Sequence, residues 1–172
     1  GDVAPVGGGF GGLLWGSAGI TLPWETYLQY GDVGLLREHY DAMAKYMDYL
    51  ATTINKETGL TSEAILGDWL GPQNNQTGSA ILVAAYHVFN LEIITKVSEV
   101  LGKTADTKKW REMYNERKEF FNRKFVNTDH RTMGLTGGGF GARAAGGTPE
   151  MKLADTQSSY AVGLALGAFN DE

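Results

Sequence analysis

Apolar residues recur at helical spacing through most of the chain. Leu35, Leu36, Tyr40, Met43, Met47 and Leu50 fall on one face of a 3.6-residue period, and Trp110, Met113, Tyr114, Phe120, Phe121 and Phe125 repeat the pattern further along. Five helices are predicted. The first runs from about Ala18 to Tyr30, tolerating Pro23 in its early part and ending at Gly31. Asp32 caps a second, which continues to about Ile54. A third covers roughly Gly78 to Leu101, with Thr77 as the candidate N-cap and Gly102 as its stop. The fourth spans Thr104 to about Val126, and the fifth Asp155 to Phe169, with the apolar stretch Tyr160–Leu166 inside it. Little reads as strand; Leu60–Ile65 is a candidate short extended piece within a loop. The fold class is all-α.

Charge separates these helices into two kinds. The first, third and fifth carry one, three and one charged residues, against five in the second and eleven in the fourth. A helix apolar on every side has to be buried on every side, whereas an amphipathic one faces water along one stripe. Loop lengths alternate in the same rhythm. Gly31-Asp32 and Gly102-Lys103 are short links, while 55–77 and 127–154 are long. Short links between a buried and an amphipathic helix make αα-hairpins with an inner and an outer member. The long loops, about 1–17, 55–77 and 127–154, then gather on one face, at the N-terminal ends of the inner helices. This is the layout of an α/α toroid. Five helices do not close such a ring, so the 172 residues read as a single partial α/α-barrel segment, an incomplete arc. An open arc leaves the flanks of inner helices bare and invites self-association.

Composition narrows the function classes. The formal net charge of −5 and the 42% apolar share suit a globular domain and argue against nucleic acid or an anionic membrane surface as partner. No run of about 18 apolar residues is present, so no bilayer span is expected. With no cysteine, disulfides, thiolate metal sites and a cysteine nucleophile are absent. The start of the chain shows no signal-type segment, and its compartment stays open between cytoplasmic, periplasmic and secreted. The 24 glycines cluster, eight within Gly1–Gly19 and seven within Gly134–Gly147, which marks loops. Gly7-x-Gly9-x-x-Gly12 has dinucleotide-fingerprint spacing, yet it neither follows a strand nor opens directly into a helix, so the phosphate-cradle mechanics are missing. His39, His87 and His130 have no ligand-like spacing, and no metal or cofactor is expected. His87 reads as a satisfied core histidine, and the charges of Lys108–Lys124 as a solvated helix face with Glu119–Arg123 as a favourable i,i+4 pair.

The loops hold the candidate chemistry. Trp15 stands in Gly12-Leu13-Leu14-Trp15-Gly16-Ser17-Ala18, leading into the first inner helix, and Trp69 in Gly67-Asp68-Trp69-Leu70-Gly71-Pro72, ahead of the third. Indoles beside glycines suit stacking on the C–H face of a sugar ring, and Asp68 suits either a sugar hydroxyl or a backbone cap. Packing anchors are the plain alternative for both indoles. Trp24 and Trp110, inside helices, read as core. The loop carboxylates Glu57, Glu63, Asp129 and Glu150 read as solvated.

Four motifs in order carry a resemblance. W-G-S-A-G-I-T-L-P-W-E-T-Y-L-Q-Y-G-D at Trp15–Asp32, L-R-E-H-Y-D-A-M-A-K-Y-M-D-Y-L at Leu36–Leu50, G-D-W-L-G-P at Gly67–Pro72 and D-T-Q-S-S-Y-A-V-G-L-A-L at Asp155–Leu166 are similar to an internal part of the catalytic domain of bacterial α-L-rhamnosidases, glycoside hydrolase family 78. The family carries Asp at the position of Ser17. The resemblance implies an (α/α)6 barrel, in agreement with the inner and outer helices. It also implies an inverting hydrolase of terminal α-L-rhamnosides, with Trp15, Trp69 and Asp68 on the sugar-binding face. An inverting site needs a protonated acid and a carboxylate base about 6.5–9.5 Å apart. The family's acid motif lies upstream of the matched region and its base downstream, so no catalytic residue is assigned and the isolated chain is expected to be inactive. Partners implied are a rhamnose-containing glycan or glycoside and the remainder of the barrel. The alternative is a non-catalytic helical-hairpin module that binds carbohydrate or a protein.

Overall fold

The computed structural model describes residues 12–62, 77–127, 132–133 and 156–170. They form α1 (Gly12–Gly16), α2 (Ala18–Tyr30), α3 (Gly34–Thr52), α4 (Ser79–Val100), α5 (Thr104–Phe125), a small antiparallel ribbon of β1 (Val126–Asn127) and β2 (Thr132–Met133), and α6 (Gln157–Ala165). The chain is all-α with an incidental ribbon, as its pattern predicts. The ribbon was not read from the sequence. Around 60 the expected extended piece reduces to an isolated bridge between Ile54 and Thr61.

The first inner helix begins earlier than predicted. Residues 12–16 are helical, not loop, because Ser17 adopts αR geometry and carries the backbone ladder across the junction. Its N–H donates to the Leu13 carbonyl at 2.9 Å, and its own carbonyl accepts from Ile20 and Thr21. The glycines that suggested a loop cost helix propensity but do not forbid the turn. Further on, Pro23 is buried within α2, and Gly31 ends the helix at φ 70°, a left-handed cap that a residue with a Cβ adopts only with strain.

Two hairpins follow from the short links. Asp32 sits one place outside the N-cap of α3, and its carboxylate accepts from the Gly34 N–H at 2.7 Å. Along α3, Leu36, Tyr40, Met43, Met47 and Leu50 are buried, the stripe that the spacing predicts. In α5 the buried set is Trp110, Arg117, Phe120, Phe121 and Phe125. Arg117 departs from the expected solvated face and is 5% exposed. The helix's i,i+4 ion pair is Lys108–Glu112 at 3.9 Å, and no Glu119–Arg123 pair forms among the described residues.

α4 is the spine, packed against α1, α2, α3, α5 and α6. One cluster of the core joins Leu13, Ile20, Leu36, Met43, Met47 and Leu91 with Trp110; the other gathers Ile81, Ala85, Val88, Phe121, Phe125 and Ala168 around the opposite half. By length and composition α4 could cross a bilayer, with mean hydropathy 1.4, although His87, Asn90, Glu92 and Lys96 interrupt its apolar run. However, 72% of that window is buried inside the protein's own fold, which makes it the core helix. The other two apolar helices are not enclosed. Leu22 and Tyr30 of α2 are 66% and 81% exposed, and Leu164 of α6 is 72% exposed.

Candidate functional site

The inner helices α4 and α6 start side by side. Thr77, just before α4, shares a buried hydroxyl–hydroxyl hydrogen bond with Thr156, the N-cap of α6. The Thr156 hydroxyl also accepts from the Ser159 N–H at 3.1 Å, so it both caps its helix and reaches its neighbour. Thr77 itself is not the N-cap expected of it; Gly78 takes that position, without a side chain to offer.

Trp15 is placed on α1, on the side opposite the fully buried Leu13, and is 42% exposed. A helical turn holds it rather than a loop. The turn is fixed by Gly16, where a Cβ would collide with the Tyr46 hydroxyl, and that hydroxyl donates to the Leu13 carbonyl at 3.4 Å. The half-exposed indole therefore stands on a braced helical turn. Trp69 and Asp68 lie outside the described residues, as do Glu63, Asp129 and Glu150. Glu57 is exposed at a turn whose backbone N–H groups are bound by the Asn55 side chain. Trp110 is core, donating from Nε1 to the Tyr40 hydroxyl at 3.1 Å, and Trp24 packs partly buried against the same cluster.

Beneath Trp15 the Ser17 hydroxyl is buried and doubly engaged. It donates to the Leu13 carbonyl at 2.7 Å and accepts from Asn90 Nδ2 at 2.7 Å. Ser17, at the junction of α1 and α2, thus links α1 to α4. The Oδ1 of Asn90 has no hydrogen-bond partner. Deeper in α4, His87 is buried as expected but not satisfied, since neither ring nitrogen has a partner. Burial first, and the nearby Arg117 charge second, push its pKa down to about 3, so it is neutral at ordinary pH. At the other end, Tyr40 donates to Asp106 at 2.9 Å, and burial raises its pKa to about 12. Arg117 and Asn90 gave no sign in the sequence. Each belongs to a pattern, an amphipathic charge run and an apolar helix, that hides a single inward polar residue.

Chemically, the described residues offer a presented indole and a scaffold for it. Among them no group of three His, Cys, Asp or Glu is placed to hold a metal ion.

Residues 2–172 match the model of the bacterial alpha-L-rhamnosidase 6 hairpin glycosidase domain. An alpha-L-rhamnosidase of Streptomyces avermitilis is 26% identical over 99% of this chain and 14% of its own length, and one of Formosa agariphila is 32% identical over 66% of this chain and 13% of its own. The crystal structure of the Streptomyces avermitilis enzyme complexed with L-rhamnose superposes with a TM-score of 0.72 at 24% identity, covering 99% of this chain and 14% of that one. That of Dictyoglumus thermophilum alpha-L-rhamnosidase gives 0.70 at 24%, covering 93% and 16%. These likenesses agree with an arc of a six-hairpin toroid, and the chain spans about a seventh of such proteins. With almost its whole length matched, the chain belongs to the bacterial alpha-L-rhamnosidase six-hairpin glycosidase domain family.

Proposed function

We propose that this segment of a glycoside hydrolase carries part of the sugar-binding face of an enzyme that hydrolyses terminal α-L-rhamnosides with inversion. The observation that carries the proposal is Trp15, a half-exposed indole on a braced helical turn in a chain of this family. In this reading Trp15 and Trp69 stack on the sugar, whose methyl group adds apolar contact, and Asp68 accepts from a hydroxyl. The long loops 55–77 and 127–154 share that face with α1. The general acid and the base come from outside residues 1–172, so these residues bind and orient and do not transfer the proton. The rest of the ring supplies the cover for the bare sides of α2 and α6, and without it those sides pair with one another.

The test compares variants of a full-length protein that carries the chain. Trp15→Ala and Trp69→Ala should each weaken transition-state stabilisation by about 1–3 kcal/mol in kcat/KM on an aryl rhamnoside, with a small change in melting temperature. Unfolding by both variants with normal kinetics in the surviving fraction would make the indoles packing anchors and favour a binding module of other chemistry. The isolated 172 residues should release no aglycone above background, because acid–base catalysis requires the positioned carboxyl pair.

A further inference from the structure

The polar contacts behind Trp15 form a relay that runs from α4 into α1. α1 has five residues, far too few to hold a helical turn by its own ladder. It packs against α4 and α2, and its Leu13 carbonyl is where polar groups take hold of it. That carbonyl accepts from the Ser17 N–H at 2.9 Å and from the Ser17 hydroxyl at 2.7 Å. A carbonyl cannot donate, so the Ser17 proton is committed to it and the Ser17 oxygen is left as an acceptor. Asn90 Nδ2 fills that role from α4 at 2.7 Å, across a sequence separation of 73. The bonds therefore run one way, from Asn90 to Ser17 to Leu13, and each polarises the next. On the side of α3 the support is weaker. The Tyr46 hydroxyl reaches the same carbonyl at 3.4 Å, beside an open cleft of about 210 Å³ walled by Gly16, His39 and Met43.

For stability alone, Asn90 is a poor choice. It is fully buried in the apolar α4, and its Oδ1 has no hydrogen-bond partner among the described residues. An unmet buried acceptor offsets most of the gain from the Nδ2 bond, so a leucine of similar volume would hold the core as well. A leucine could not direct the Ser17 proton. Trp15 stands two residues beyond Leu13 in the same turn, so the setting of the Leu13 peptide carries over to the indole. We propose that Asn90 is a positioning residue for Trp15. Acting through the Ser17 hydroxyl and the Leu13 carbonyl, it fixes the angle at which the indole is presented. The inference rests on the reading that Trp15 stacks on a sugar, and it names the residue on which the aim of that stack depends.

The test uses a full-length protein carrying this chain, labelled with 5-fluorotryptophan, with the Trp15 fluorine resonance identified by its loss in Trp15→Phe. Asn90→Leu should shift that resonance in the absence of sugar, while the melting temperature stays at or above that of the wild type. On an aryl rhamnoside it should raise KM about threefold to tenfold and leave kcat within about twofold, because a stacked indole serves ground and transition states alike. Ser17→Ala, which breaks the relay at its middle, should reproduce both effects, and it decides the matter if Asn90→Leu does not fold. The two changes together should be no worse than either alone. In a Trp15→Ala background, Asn90→Leu should add nothing further to KM, which a general loss of packing would not obey. The proposal is overturned by an unshifted Trp15 resonance in both variants, or by a KM effect that persists in full without the indole. If Trp15→Ala itself leaves KM unchanged, the stacking reading fails; the positioning of Trp15 then stands on a shifted resonance and falls on an unshifted one.

Discussion

α2 and α4 are written in the same apolar alphabet, yet one is enclosed and the other is bare along a side. α4 buries fourteen of its 22 residues, His87, Asn90 and Ser98 among them, because α2, α3, α5 and α6 surround it. α2 buries two, Ile20 and Pro23, and leaves Leu22, Leu28 and Tyr30 in the open. Composition is alike, so neighbours make the difference. An apolar circumference reports the surroundings for which a helix was selected, and in a segment of a ring those surroundings extend past the segment.

The comparison can be broken or sharpened by substitution. The largest effect belongs to the core that both hairpins share. Trp110→Ala should cost about 3–5 kcal/mol in urea unfolding, since it empties a fully buried site and removes the indole donor from Tyr40. Next come matched leucines: Leu91→Ala in α4 should cost about 2–5 kcal/mol, and Leu22→Ala in α2 within about 0.5 kcal/mol in the isolated chain kept dilute enough to stay monomeric. In the full-length protein the cost at Leu22 should climb towards that at Leu91. A large cost at Leu22 in the isolated chain, paired with dimers in sedimentation, would mean that a second copy covers α2.

His87 sharpens the contrast through pH. Its folded pKa, about 3, lies below the ordinary 6.5, so the unfolded chain binds the proton more readily. Its contribution to stability is whole above about pH 6.5 and is lost as pH falls towards 3, by up to about 1.4 kcal/mol per unit. Urea midpoints at pH 7.5, 5.5 and 4.5 should show this slope, and His87→Leu should flatten it at little cost near neutrality, no hydrogen bond being lost. The smallest effect is expected where the outer helices touch. Lys109 of α5 pairs with Asp48 of α3 in a half-exposed ion pair, and Lys109→Ala should cost less than about 1 kcal/mol, falling further in high salt.

Much of the fold was legible in the sequence because it rests on periodicity and on the two short turns. α3, α4 and α5 begin and end within about two residues of the places that Asp32, Gly102 and the apolar stripes predict. α6 is shorter than expected, closing at Ala165 where the chain turns at Gly167, φ 62°. The first turn was missed because its glycines look like loop, and the rescue comes from Ser17, whose local bond to Leu13 is backed by a tertiary one from Asn90. Of the candidate site, Trp15 was legible as an exposed indole but not as a helical one. Arg117 was illegible in principle: among eleven charges on one helix, nothing local marks the one that turns inward.

The hydroxyl pair of Thr77 and Thr156 joins positions 79 apart, whereas α4 and α5 meet across the three-residue turn Leu101-Gly102-Lys103. Loop-closure entropy therefore predicts an order in time. Closing the α4–α5 hairpin confines little chain and can come early. α6 has to be carried back over a long stretch before its cap finds Thr77, and so docks late. That late step completes the alignment of neighbouring inner helices, which makes the seam between α4 and α6 the place where a slowed or stalled chain would first show its incompleteness.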